Sequence, residues 1–247
     1  MRAGLSVGKY LVVAATLCIW LAGLPARADS QLIVNGGFET GNLAGWTAVD
    51  QAGGSGSWFA SSSTSAPLSG LATAGPAGGT FYVVTDQTGP GSHVLLQSFT
   101  VPIGSTSVIL SFDMFVNDWN SGPFCTGLDY TVSQTECGRV DILTAAATAF
   151  DTGAGVVDNL FSGADAAHSV ANPYTPYSFD LTGILTPGQT YQLRFGEADN
   201  QSFFNQGVDN VSLLAATATP EPVSMLLFAT GLFSLGAVKK RNHVGSK

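Results

Sequence analysis

The chain has 247 residues, with 9 Lys and Arg against 17 Asp and Glu, for a formal net charge of −8. Between Asp29 and Thr219 only Arg139 and Arg194 are cationic and lysine is missing, which leaves that stretch at about −14. A surface of that sign repels a phosphate backbone, which excludes nucleic acid as a partner; it suits divalent cations or neutral ligands such as sugars, and equally the plain solubility of an exported domain.

At the N-terminus, Arg2 and Lys9 precede an apolar stretch from Tyr10 to Leu24, and Ala26-Arg27-Ala28 puts small residues at the two positions a signal peptidase reads. Residues 1–28 are therefore expected to be a cleaved signal peptide. Residues 29–219 then make one domain, long enough to bury a real core.

Within that domain the periodicity is that of strands. Thr80–Thr85, His93–Val101, Ser107–Val116, Arg139–Leu143, Tyr177–Leu181, Tyr191–Phe195 and Gly207–Leu214 are short, β-branched or aromatic, and often alternating, with Gly, Ser, Pro, Asn and Asp clusters between them. Thr144–Phe150 reads as strand continuation or a single turn. The Gly- and Ser-rich stretches Gly53–Ser65 and Thr73–Gly79 read as long loops. The pattern predicts an all-β, antiparallel β-sandwich.

Two motifs sharpen this to a jelly roll. Leu32-Ile33-Val34-Asn35-Gly36-Gly37-Phe38-Glu39-Thr40-Gly41, followed by Gly45-Trp46, resembles the opening strand of galactose-binding-like β-sandwich domains, which include many carbohydrate-binding modules. Gly207-Val208-Asp209-Asn210-Val211-Ser212-Leu213 is similar to their closing strand. The resemblance implies that the two motifs meet in space. It also implies a structural calcium, with Glu39 and Asp209 at the matching positions and backbone oxygens completing the shell. The competing arrangement is that both carboxylates bond backbone amides at strand ends.

Sugar recognition needs exposed aromatic faces beside amides and carboxylates. Asn117-Asp118-Trp119-Asn120 offers that set after one strand, and Asn200 with Phe203 and Phe204 offers it before the last, both in expected loops. Core packing is the alternative for each of these aromatics, and Trp46 and Trp58 have weaker claims.

Cys125 and Cys137 are the two cysteines left after signal cleavage, and in an oxidising compartment they are expected to form a disulfide. Arg194, with Glu197, Asp199 and Asp209 nearby in sequence, is expected in a structural ion pair. Catalysis has little support. His93 and His168 lie in no metal-ligand pattern, and no GxSxG elbow or phosphate-binding glycine loop is present. Paired carboxylates capable of glycoside hydrolysis cannot be told from chance among so many acids.

The C-terminus carries Pro220-Glu221-Pro222, an apolar run over 223–238 and the basic cluster Lys239-Lys240-Arg241. Proline sets the run off as a separate element, and as a helix it would be roughly 24 Å long, short of the hydrocarbon core. The basic cluster holds its end in the cytoplasm. These elements, over 220–247, resemble the PEP-CTERM sorting signal of Gram-negative bacteria, and Tyr191–Leu213 is similar to the last hairpin of many proteins that carry it. The resemblance implies that an exosortase is a partner, that the chain is anchored in the inner membrane only before processing, and that it ends at the cell surface or in the extracellular matrix. A plain membrane anchor is the alternative, and a eukaryotic lipid-anchor signal fits the basic end less well.

The expectation is an exported, non-catalytic jelly roll that associates with exopolysaccharide or another glycan. A purely structural matrix protein and a glycan-cleaving enzyme are the competing readings.

Overall fold

The computed structural model describes residues 27–119, 125–132, 134–165 and 169–218. Most of the expected signal peptide, the tail with Pro220, Glu221, Pro222, Lys239, Lys240 and Arg241, and also Asn120 and His168, lie outside the described residues.

In chain order the strands are β1 (Arg27–Gln31), β2 (Thr47–Asp50), β3 (Ser57–Ser61), β4 (Tyr82–Asp86), β5 (Gly91–Thr100), β6 (Ser105–Asp118), β7 (Glu136–Thr144), β8 (Val156–Gly163), β9 (Thr175–Asp180), β10 (Thr190–Asp199) and β11 (Phe204–Ala218). One sheet runs β3-β4-β11-β6-β9, with β1 also bonded to β11; the other runs β2-β5-β10-β7-β8. Neighbours along both rows pair antiparallel. The expected all-β antiparallel sandwich is what forms, and no helix occurs among the described residues.

Alternation explains how the layers seal. Leu110, Phe112 and Met114 of β6 face Leu193 and Phe195 of β10, Val140 and Ile142 of β7, and Leu95 and Phe99 of β5 in one buried cluster. At its centre Phe112 meets Phe195 edge to face, ring centroids 5.2 Å apart. Further tilted contacts join Phe195 to Trp46 and Trp46 to Phe38. Trp46 and Trp58 are both core residues.

All seven predicted strands are present, and most run longer than predicted. β2, β3 and β8 were not expected. β3 lies inside the stretch read as a loop because Ser57 and Ser61 give it a linker-like composition, while Trp58 packs into the core and Ala60 against it. β8 is an edge strand whose Asp, Asn and Gly hide its alternation. Thr144–Phe150 begins with the last residue of β7 and continues as turns.

The opening motif needs correction. The strand lies just before it, as β1, and residues 32–41 are mainly turns, with Asn35 at φ 53° and Phe38 at φ 55°. The two motifs do meet: Leu32 N donates to Leu213 O and Val211 N donates to Gly36 O. A Cβ on Gly36 would run into the Val211 carbonyl, so only glycine lets the chains approach this closely. In the closing motif a bulge falls between Asp209 and Ser212, with Asn210 at φ 52°. The extra residue lets Val208 and Val211 both reach the core.

Replacing Phe112 by Ala is expected to cost about 3–5 kcal/mol in denaturant unfolding, because it empties the inter-sheet centre. A loss under about 1 kcal/mol would contradict this packing.

Candidate functional site

One end of the sandwich collects a group of polar residues. There β4, β6 and β10 end while β5, β7 and β11 begin; Asp199 sits opposite Gly91 and Glu136, and Phe204 opposite Asp118. Two loops, 87–90 and 200–203, border a cleft of about 300 Å³ lined by Gln87, Pro90, Asp199, Gln201 and Phe203 among others. Beside it, Trp119 N donates to Phe203 O at 3.1 Å, and the two rings stand 5.9 Å apart at 67°. Trp119 is 53% exposed, and it is the only aromatic among the exposed large apolar side chains of the described residues.

The expected sugar-binding residues separate into two groups. Trp119 and Phe203 come together at the surface. Asn117, Asp118 and Phe204 are fully buried, which removes them as ligand contacts. The physical reason is strand length: β6 runs through Asn117 to Asp118, and β11 begins at Phe204, so these residues belong to the sandwich and not to its loops. Asn117 Nδ2 donates to Ala72 O, and its Oδ1 accepts from Asn172 N. Asn200 borders the cleft, but its side chain ties loops together, accepting from Thr135 N and donating to Tyr130 O and Val132 O.

Beneath the cleft lies a layer that sequence reading missed. The inward positions of β10 run Tyr191, Leu193, Phe195, then Glu197 and Asp199; the same alternation turns His93 of β5, Asp118 of β6 and Glu136 of β7 toward it. All five are buried. Burial pushes the Glu197 carboxyl well above the ordinary range, and the charges of Asp199, Asp86 and Asp50 add to the rise. The Thr85 hydroxyl tempers it without closing a hydrogen bond of ordinary geometry to either oxygen. Burial raises Asp199 to about 6, against hydrogen bonds from Gln201 N, Ser202 N and the Gln87 amide. The usable signal was the odd-numbered register of β10, which carries on past Phe195 into acidic residues.

Both arginines of the domain lie on the opposite face of the same sheet. Arg194 Nε and Nη2 donate to Asp141 Oδ2 at 3.1 and 2.5 Å, while Arg139 Nη2 donates to Asp141 Oδ1 at 2.7 Å. Arg194 Nη1 also donates to the carbonyls of Ala149 and Asp151, pinning the turn after β7 onto the sheet. The expected structural role of Arg194 holds, but its partner is the cross-strand Asp141 and none of the three acids near it in sequence. The expected Cys125–Cys137 disulfide is present and attaches the segment before β7 to its second residue.

Glu39 and Asp209 also meet, around the segment 77–81. Glu39 accepts from Thr80 N and Phe81 N, which hold its carboxyl below the usual range. Asp209 accepts from Ala77 N and Gly78 N at Oδ2 and from Asn210 N at Oδ1. Burial raises Asp209, and the Glu39 charge adds to it. This is the backbone-amide arrangement. Among the described residues no three His, Cys, Asp or Glu are grouped to hold a metal ion.

Comparison with solved structures finds similar β-sandwich domains. The K3 cleaved adhesin domain of Lys-gingipain from Porphyromonas gingivalis is 16% identical over 76% of this chain and 99% of that one, with a TM-score of 0.50. TmCBM61, solved with beta-1,4-galactotriose, is 12% identical over 74% of this chain and 98% of that one, with a TM-score of 0.45. The enzymatically active domain of bacteriophage CBA120 tailspike protein 4 is 12% identical over 74% of this chain, with a TM-score of 0.44; the chain spans 21% of its length. At these identities the likeness is one of fold alone. No protein-family model and no curated protein matches the chain.

Replacing Asp141 by Asn leaves two guanidinium groups on a neutral partner, with Arg194 fully buried. Urea unfolding at neutral pH is expected to show a loss of about 3–5 kcal/mol. An effect under about 1 kcal/mol would mean that the pair does not hold the turn.

Proposed function

We propose that this chain is an exported surface or matrix domain that binds glycan without catalysis, through the Trp119–Phe203 platform and the adjoining cleft. The observation that carries the reading is the exposure of Trp119 beside a polar cleft. An indole face left in water beside amide and hydroxyl groups matches a pyranose, whose apolar face stacks while its hydroxyls take hydrogen bonds. The cleft offers Thr88, Gln201 and Ser202 for those bonds.

Glycoside cleavage needs two carboxylates that both reach the scissile bond. Among the described residues Asp199 is the one carboxylate lining the cleft, and Glu197 beneath it is fully buried. Binding is therefore the reading that fits the cleft's chemistry.

Export and sorting rest on the sequence: the signal peptide at 1–28 and the PEP-CTERM-like tail over 220–247, on which an exosortase would act. The acidic, lysine-free domain between them suits an extracellular, neutral-sugar partner.

In a glycan array, wild-type protein is expected to retain exopolysaccharide fragments and Trp119→Ala to lose at least about tenfold in affinity. Undiminished binding by the variant would remove the platform. Intact-mass analysis of the native cell-associated protein is expected to place its C-terminus near Pro220, and an intact Lys247 would contradict sorting.

A further inference from the structure

A chain of hydrogen bonds runs from the partly exposed Asp50 into the buried layer, and its donors and acceptors do not balance at their ordinary protonation states. Asp50 Oδ1 lies 2.8 Å from His93 Nδ1; His93 Nε2 lies 3.0 Å from Gln87 Oε1; Gln87 Nε2 lies 2.8 Å from Asp199 Oδ2. With Gln87 donating to Asp199, its carbonyl must accept from His93 Nε2–H, while Asp50 on the other side of the ring is also an acceptor. The imidazole must then donate from both nitrogens, or Asp50 must supply a proton. Turning the Gln87 amide over lets a neutral His93 accept from it, but Asp199 must then be the donor. In every orientation all three links close only when the chain holds one proton more than two carboxylates and a neutral imidazole.

Charge around the chain makes that proton the natural neutraliser. The groups facing Glu197 and Asp199 are Asp50 from β2, His93 from β5, Asp118 from β6 and Glu136 from β7, with Asp86 at the end of β4 close enough to act on Glu197. From β11 comes Gln206, which is uncharged. The domain's two arginines are on the other face, held by Asp141. Among the described residues, therefore, His93 is the one basic side chain that faces the layer.

We propose that this end of the sandwich is a proton-held closure, tight in mildly acidic medium and loosened around the cleft when the chain Asp50–His93–Gln87–Asp199 gives up its extra proton. The sign follows from linkage. An acid whose folded-state pKa is raised contributes stability that is complete below its unfolded value and lost as pH rises through the folded one. For Asp199 that window runs from the ordinary value of 3.8 to about 6, and Glu197 extends it upward. The cleft above Asp199 is where water reaches the ionised layer. The closure acts on the same loops as the proposed glycan platform but does not depend on it, and each can fail without the other.

Amide hydrogen exchange in the purified full chain, corrected for intrinsic rates at pH 5 and pH 7.5, tests it. Protection of Ser92, His93 and Glu197 to Asn200 is expected to fall about tenfold at the higher pH, while Leu193 to Phe195 stay constant. Asp199→Asn closes every link with a neutral His93, since the new amide can donate to Gln87, so this variant should keep its protection within about twofold at both pH values. Equal protection of the wild type at both pH values would overturn the proposal, as would an undiminished loss in the variant. Restoration of the wild type at pH 7.5 by millimolar calcium would also overturn it, because a cation and not a proton would then be neutralising the layer.

Discussion

Asp141 takes both of the domain's positive charges. Arg194 and Arg139 converge on its two oxygens on the outer face of one sheet, which leaves every other carboxylate of the sandwich to be satisfied in some other way. That scarcity organises much of the structure. Glu39 and Asp209 take backbone N–H groups and fold the 77–81 segment around themselves. Asp86 takes Leu68 N and Ser69 N and so fastens the long loop after β3 to the outside of the other sheet. Glu197 and Asp199, between the sheets, have neither a cation nor enough amides, and burial drives them toward the protonated state.

The consequence is a sandwich with two unlike ends. Along most of its length the two sheets close over aromatic and aliphatic side chains, with Phe112 and Phe195 in the middle, and this part is held by ordinary apolar burial. Toward the end where β6 and β10 finish, the same alternating positions carry acids and amides, and stability there depends on hydrogen bonds that must all be made. The exposed Trp119 and the polar cleft sit over that second region. The proposed binding surface lies on the end proposed to loosen, an arrangement in which its loops adapt while the apolar part stays rigid.

The strands with β-branched and aromatic alternation were legible in the sequence, from Thr80 through Leu214, and so was the meeting of the two terminal motifs. Edge strands were not: Ser57–Ser61 and Val156–Gly163 have one solvated side, where Ser, Asn and Asp are tolerated and the hydrophobic signal thins. Half of the candidate site was legible for a related reason. Trp119 and Phe203 follow and precede strands as expected. Asn117, Asp118 and Phe204 were misplaced because polar residues at a strand end look like loop when the cross-strand partner is unknown. The buried layer was the least legible part. Nothing local distinguishes Glu197 and Asp199 from solvated acids until the register of β10 against β5 and β7 puts them on the same side as Phe195.

The scarcity of positive charge is tested most directly by carbon-13 NMR titration of the side-chain carboxyls between pH 3 and 9. The account predicts that Asp199 titrates near 6 and Glu197 well above the usual range, with Glu39 below it. Glu197 and Asp199 titrating together with exposed carboxylates, near the ordinary values of 4.5 and 3.8, would contradict it.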